Sequence, residues 1–255
     1  MTNKLQGPFS ILLGFLLALT VAAPGTLSAP AASRQAQATP ELMPDGLMSA
    51  FLAASAQPFG ANAEGYRARS GGLDLTLSAG GLQAEGDGLA LSVALSGMGR
   101  SEQIAAMPAA EIVQASNRLE YRRGTLTEWY RDTALGVEQG FTVHEAPRGA
   151  GPLVLRLDLA TDLAGAPDGD GRGLAFAAPD GQTLRYDHLR AWDAGGAPLD
   201  ADLRYVPGQV TIQVRDQGAA YPITVDLLIY VEQKAFCLRR GVWLLWLCGG
   251  ALGRR

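Results

Sequence analysis

Between residues 183 and 229 the chain is punctuated by turn-forming clusters roughly every eight to twelve positions, the spacing of successive antiparallel strands. Asp193-Ala194-Gly195-Gly196, Pro207-Gly208 and Asp216-Gln217-Gly218 separate the strand-like runs 183–192, 199–206, 209–215 and 221–229. This pattern predicts a meander. Upstream, Leu73, Leu75 and Leu77 alternate with Asp74, Thr76 and Ser78, and Leu89, Leu91, Val93 and Leu95 alternate with small residues, both at the period of two that marks a half-buried strand. Three further strands are expected in 111–145, around Arg118-Leu119-Glu120-Tyr121-Arg122, Thr125-Leu126-Thr127-Glu128-Trp129-Tyr130 and residues 136–145, and another at 153–159. Residues 101–110 and 165–173 read as loops. The expectation is an all-β fold, an antiparallel sandwich or meander with one short N-terminal helix.

Composition agrees. With 32 glycines in 255 residues and only 18% charged residues, the chain suits a turn-rich β fold better than a helical one. A net charge of −4 supplies no basic field for nucleic acid.

The ends differ from the middle. Lys4 followed by the uncharged apolar run Ile-Leu-Leu-Gly-Phe-Leu-Leu-Ala-Leu-Thr-Val at 11–21 has signal-peptide form and is too short to span a bilayer. Small residues at Ala29-Pro30-Ala31 allow cleavage after Ala31, with Ala23 and Ser28 as other exits. The alternatives are a buried helix or a membrane anchor. The expected division is a signal peptide at 1–31, a linker and short helix at 32–64, a β domain at 65–235 and an atypical tail at 236–255. In the second segment Leu47, Met48, Phe51 and Leu52 fall at helical spacing, as a stripe facing a core or, alternatively, a partner. Export places the mature chain outside the cytoplasm, in the medium or at the cell surface, with no stable membrane span after cleavage.

Chemistry-bearing residues are sparse. The two histidines, His144 and His188, are isolated and lack the paired spacing of a metal motif. His144 reads as a solvent-facing strand residue and His188 as part of a turn. Counting leaves a Ser–His–Asp arrangement open, but no G-x-S-x-G elbow occurs. No phosphate-binding or dinucleotide-binding glycine motif is present, so no cofactor is expected. Asp168-Gly169-Asp170-Gly171 opens like a calcium loop. Arg172 then stands at a ligand position and Pro179 where the closing carboxylate belongs, so a plain turn is expected and no metal. Trp129 and Trp192 lie inside alternating strands, which points to core positions. An exposed row of Trp129, Tyr130 and Trp192 would instead form a ligand-facing platform for a glycan.

Several ordered motifs carry a resemblance. Asn117-Arg118-Leu119-Glu120-Tyr121-Arg122-Arg123-Gly124, Glu128-Trp129-Tyr130 and Gly136-Val137-Glu138-Gln139-Gly140-Phe141-Thr142 resemble the N-terminal region of secreted bacterial proteins with FG-GAP (integrin-α-like) repeats. So do Leu184-Arg185-Tyr186-Asp187, Leu189-Arg190-Ala191-Trp192-Asp193, Tyr221-Pro222-Ile223-Thr224-Val225-Asp226 and Glu232-Gln233-Lys234-Ala235. The resemblance covers about residues 65–235. It implies a leading domain without an assigned activity, followed by repeats that form a propeller, often with calcium loops. In this chain residues 236–255 stand where the first repeat is expected, so the resemblance does not by itself imply propeller, calcium sites or adhesion here.

That tail holds Cys237 and Cys248, two of the four tryptophans, four arginines and no acid. It reads as an anchor, as a disulfide-closed loop or as a frameshifted repeat. Codons compatible with 238–244, read one base later, can spell Ser-Ala-Gly-Glu-Phe-Gly-Tyr, and those for 251–255 can spell Leu-Ser-Gly-Asp, with which such a repeat would open. The functional expectation is a non-enzymatic N-terminal module of an exported FG-GAP-repeat-like protein, in a structural or interaction role toward an extracellular protein or glycan. The alternative is a carbohydrate-binding or carbohydrate-processing accessory domain. A hydrolase would need paired carboxylates in a cleft or a His–Ser contact, which no spacing predicts.

Overall fold

A computed structural model describes residues 45–232, residue 102 excepted. The expected signal segment, most of the linker and the tail with Cys237 and Cys248 lie outside the described residues. The described chain opens with helix α1 (Asp45–Ser55) and continues as β1 (Gly60–Asn62), β2 (Gly65–Ser70), β3 (Leu73–Ser78), β4 (Gly81–Gly86), β5 (Leu89–Arg100) and β6 (Gln103–Ala106). Next come β7 (Glu111–Ala115), β8 (Arg118–Arg123), β9 (Leu126–Asp132), β10 (Val137–Val143) and β11 (Leu153–Ala160). The remainder is β12 (Ala164–Pro167), β13 (Leu174–Ala177), β14 (Thr183–Trp192), β15 (Ala201–Val206), β16 (Gln209–Val214) and β17 (Ile223–Glu232).

These strands form two antiparallel sheets, a β-sandwich. The first runs β1-β2-β3-β4-β5-β11-β16-β15, with β6 also on β5; the second runs β12-β13-β14-β17-β10-β9-β8-β7. Alternation decides which side chains face inward. Leu73, Leu75, Leu77, Leu91 and Val93 of the first sheet are buried in the same apolar cluster as Tyr121, Phe141, Tyr186, Val225 and Ile229 of the second. Each such side chain removes apolar surface from water at about 25 cal/mol per Å².

The 183–229 stretch is not one meander. β14 and β17 pair directly with each other in the second sheet, while β15 and β16 between them belong to the first. The crossing is made at a corner. The Asp193 carboxylate accepts backbone N–H groups of Gly195 and Ala197 at 2.9 Å and of Ala220 at 3.3 Å, closing a wide turn that turns the chain away from hairpin pairing. The return corner is held by a clamp. Arg100 at the end of β5 donates both terminal nitrogens to Asp216, at 2.6 and 2.7 Å, and Tyr221 donates its hydroxyl to the same carboxylate at 2.5 Å.

Two of the expected loops contain short strands. β6 lies within 101–110 and β12 within 165–173, with β12 starting one residue earlier, and β7 adds an edge to the second sheet. They are four or five residues long, with weak alternation, and owe their state to pairing with a longer neighbour. Helix α1 falls where its spacing predicts. Met48 and Leu52, one turn apart, are buried against Leu228 and Tyr230 on the outer face of β17, whereas Leu47 is 58% exposed.

Candidate functional site

The densest chemistry lies on the outer face of the second sheet, at and beside α1. It begins with an irregularity in β14. Asp187 pairs with Leu228 and Arg190 with Asp226, so His188 and Leu189 together oppose the single residue Leu227. This is a β-bulge, and it reverses the strand's alternation. Leu184 and Tyr186 point inward before it; Leu189 and Ala191 point inward after it. Arg190 and Trp192 are thereby placed outside. The extra residue, His188, takes the left-handed conformation (φ 61°), uncommon for a residue with a side chain. Its N–H donates to the Asp187 carboxylate at 2.6 Å, its ring stacks on Tyr230 at 5.9 Å, and its Nε2 is shut off from solvent with no hydrogen-bond partner among the described residues.

The β12–β13 hairpin abuts the bulge. Leu189 N–H donates to the Arg172 carbonyl at 3.2 Å. Arg185 bridges Asp168 at 3.0 Å and Asp187 at 2.8 Å, and both carboxylates crowd Gly173, where a Cβ would lie 2.4 Å from each. Asp170 accepts the Arg172 backbone N–H at 3.0 Å, an ordinary side-chain-closed turn. Among the described residues, no cluster of three or more His, Cys, Asp or Glu is placed to hold a metal. Between hairpin, bulge and helix lies a cavity of about 220 Å³, lined by Met48, Asp170, Arg172, Asp187, His188 and Arg190 among others.

A row of buried charge runs from this cavity across the sheet. Arg190 holds Asp226 through two bonds, 3.1 and 2.7 Å. Close enough to feel the charge of Asp226 is Glu138, which forms a 2.9 Å ion pair with Arg131 that is close in distance but not aligned as a hydrogen bond. Burial pushes the Glu138 carboxyl up to about 8; Arg131 opposes the rise and the charge of Asp226 adds to it. Burial raises Asp226 too, against the pull of Arg190. At neutral pH the pair therefore retains a proton, since two adjacent buried carboxylates cannot both ionise cheaply.

The three aromatics considered as a ligand-facing row are not brought together. Trp129 is buried on the outer face between Arg118, 5.3 Å from its ring, and Arg131 at 4.7 Å, and its indole N–H donates to Thr142 at 3.3 Å. It lies across Gly140, where a Cβ would fall 2.0 Å from the ring. Tyr130, the next residue in the strand, points the opposite way into the interior. There its hydroxyl donates to Glu128 at 2.6 Å, Gln139 donates to both oxygens at 2.9 Å, Tyr186 donates to Gln139 at 2.7 Å and Arg123 holds Glu128 at 2.7 Å. Every member of this core network has a partner, so it fixes packing rather than presenting a surface. Trp192 is half-buried on the outer face, with Arg190 6.0 Å from its ring and two strands between it and Trp129. It sits outside the core because of the bulge. His144 is exposed and its Nε2 lies 2.9 Å from the Thr127 hydroxyl.

Two features escape the pattern reading. The bulge has a signal in the parity break between Tyr186 and Leu189. The Glu138–Asp226 pair has none, because its partners are 88 residues apart and meet only through pairing of β10 with β17. Among the described residues, no helix is long and apolar enough to cross a membrane. No protein-family model, curated protein or solved structure matches the chain.

Proposed function

We propose that the chain is a non-enzymatic N-terminal module of an exported protein of the FG-GAP-repeat kind, with a structural or interaction role. One observation carries the reading. Most of the motifs that resemble such leading domains are far apart in sequence, yet they lie on β8, β9, β10, β17 and β14, adjacent strands of one sheet. Their most distinctive residues serve the packing of that sheet. Glu120 binds Arg118 and Arg122, Trp129 fills the space over Gly140, and Asp226 pairs with Arg190. Motifs spent on assembling a sheet are those of a scaffold that positions what is attached to it. The leader-like segment at 11–21 supports export.

The test is to read the gene beyond the codon for Ala235 in all three frames. The proposal expects a repeat opening there in one of them. Three frames without any such opening would remove the family reading and leave a β-sandwich of independent origin.

A further inference from the structure

We propose that β7, the free edge of the second sheet, is an interaction surface for a second copy of this chain, the two β7 strands pairing antiparallel about a twofold axis at Val113. This goes beyond the family reading above and does not depend on it.

Each sheet ends on strands whose backbone groups could take up another strand, and most of these edges are guarded. β1, β6 and β12 are three or four residues long, and β12 ends on Pro167. β15 is longer, but its Leu203 N–H is bonded to the Gly171 carbonyl at 2.8 Å and it carries Asp202 and Arg204. β7 has no such guard. It reads Glu-Ile-Val-Gln-Ala, five residues with β-branched Ile112 and Val113 and without lysine, proline or a register shift. Among the described residues nothing pairs on its outer side.

The hairpin that joins β7 to β8 decides which groups the edge offers. Its loop is Ser116-Asn117, with Ser116 at φ 57°, as the first position of a primed hairpin turn requires. Such a loop is closed by a pair that exchanges both backbone bonds, here Ala115 with Arg118, and the ladder then alternates. Glu111, Val113 and Ala115 therefore spend their backbone groups on β8, while the N–H and C=O of Ile112 and Gln114 point to the free edge.

A second β7 matches this edge in register and in charge. With Val113 opposite its counterpart, Ile112 of each copy faces Gln114 of the other, and such a pair exchanges both backbone bonds. Glu111 comes to lie opposite Ala115, whose own neighbour on β8 is Arg118. That arginine and Arg122 both bind the one carboxylate of Glu120, which leaves the outer face near this edge with a surplus positive charge. Within one copy Glu111 is opposite Arg122. In the pair it stands between that arginine and the other copy's Arg118, two strand spacings or about 10 Å away, which the two long side chains span. No like charges fall directly opposite each other. The joint is small, so the association is weak and concentration-dependent.

The experiment is sedimentation velocity of the full chain over a range of concentrations, with amide hydrogen exchange measured at both ends of the range. The expected result is a monomer–dimer equilibrium in which the amides of Ile112 and Gln114 gain protection at high concentration, while those of β12 at the opposite edge do not. Val113→Lys faces Glu120 within the monomer but sets two cations against each other at the axis, and should raise the dissociation constant about fivefold or more. Gln114→Pro removes an outward N–H without touching the β8 ladder, and should raise it about tenfold or more. Glu111→Arg should weaken the pair too, and less so at high salt. Melting of each variant at low concentration checks that the monomer stays folded. A chain that is monomeric throughout would overturn the proposal. So would a dimer whose protection falls elsewhere, or one that folded Val113→Lys and Gln114→Pro leave unchanged. A monomer whose Ile112 and Gln114 amides are protected only by an added β-strand peptide of unrelated sequence would give the edge to a foreign strand, and would overturn self-pairing as well.

Discussion

Glu138 and Asp226 are buried carboxyl groups on the paired strands β10 and β17 of the second sheet, each backed by its own arginine. Burial, with the negative charge of Asp226 adding to it, lifts Glu138 from its ordinary 4.5 to about 8. A carboxyl whose pKa is raised on folding lends stability that is complete below about 4.5 and is lost as the pH rises through about 8. Glu138→Gln keeps a donor toward Asp226 without the titration. Denaturation at pH 5 and pH 8 should show the parent losing stability relative to Glu138→Gln across that interval. An unchanged difference between the two proteins would mean that Glu138 is ionised in the fold.

The Arg100–Asp216–Tyr221 clamp responds to pH in the opposite sense. Burial alone would raise Asp216, but bonds from Arg100 and Tyr221 hold it below its usual range, so its contribution is present above about 3.8 and lost as the pH falls through the lower folded value. The side chains of Arg100 and Asp216 are 11% and 3% exposed. Asp216→Ala leaves a guanidinium buried without its carboxylate and should cost roughly 3–5 kcal/mol, read as a lowered denaturation midpoint. A neutral effect would mean that the return corner does not depend on this ion pair.

Gly140 faces Trp129 so closely that a single methyl cannot be added without moving the ring. Gly140→Ala should therefore destabilise by roughly 1–3 kcal/mol through overpacking, with a change in tryptophan fluorescence. An alanine that melted like the parent would place the indole elsewhere.

The bulge gives a topological prediction. Removing His188 makes Leu189 follow Asp187 directly, which restores strict alternation with Leu189 and Ala191 still inward and Arg190 still outward. The deletion should therefore keep a cooperative unfolding transition, as should His188→Gly, which adopts the left-handed backbone freely. A deletion variant that lost its cooperative transition while His188→Gly kept it would contradict the register.

Much of this fold was readable because burial on one face writes itself into the sequence at period two. Leu73-Leu75-Leu77 and Leu91-Val93-Leu95 are strands with their inward faces correctly marked. What pairs with what was not written there. Residues 183–229 have the turn spacing of a meander, but the Asp193 corner depends on Ala220, a residue 27 positions away, and it splits the strands between sheets. The tryptophans divided similarly. Trp129 and Trp192 looked alike by position, but only the first is covered, because Arg118 and Arg131 close over it from neighbouring strands. The sequence reads as a turn at His188; the parity flip from Tyr186 to Leu189 is the sign that the strand continues through it with one extra residue.

The central claim is that Trp129 holds the domain together and does not serve a ligand. Its most direct test is the thermal melt of Trp129→Ala, run beside a glycan-binding screen of both proteins. Truncation of a buried tryptophan costs roughly 3–5 kcal/mol, which for a domain of this size lowers the melting temperature by roughly 10 °C. The account predicts that drop, with no glycan binding attributable to the ring. A variant that melts with the parent and has lost binding to a glycan would contradict it.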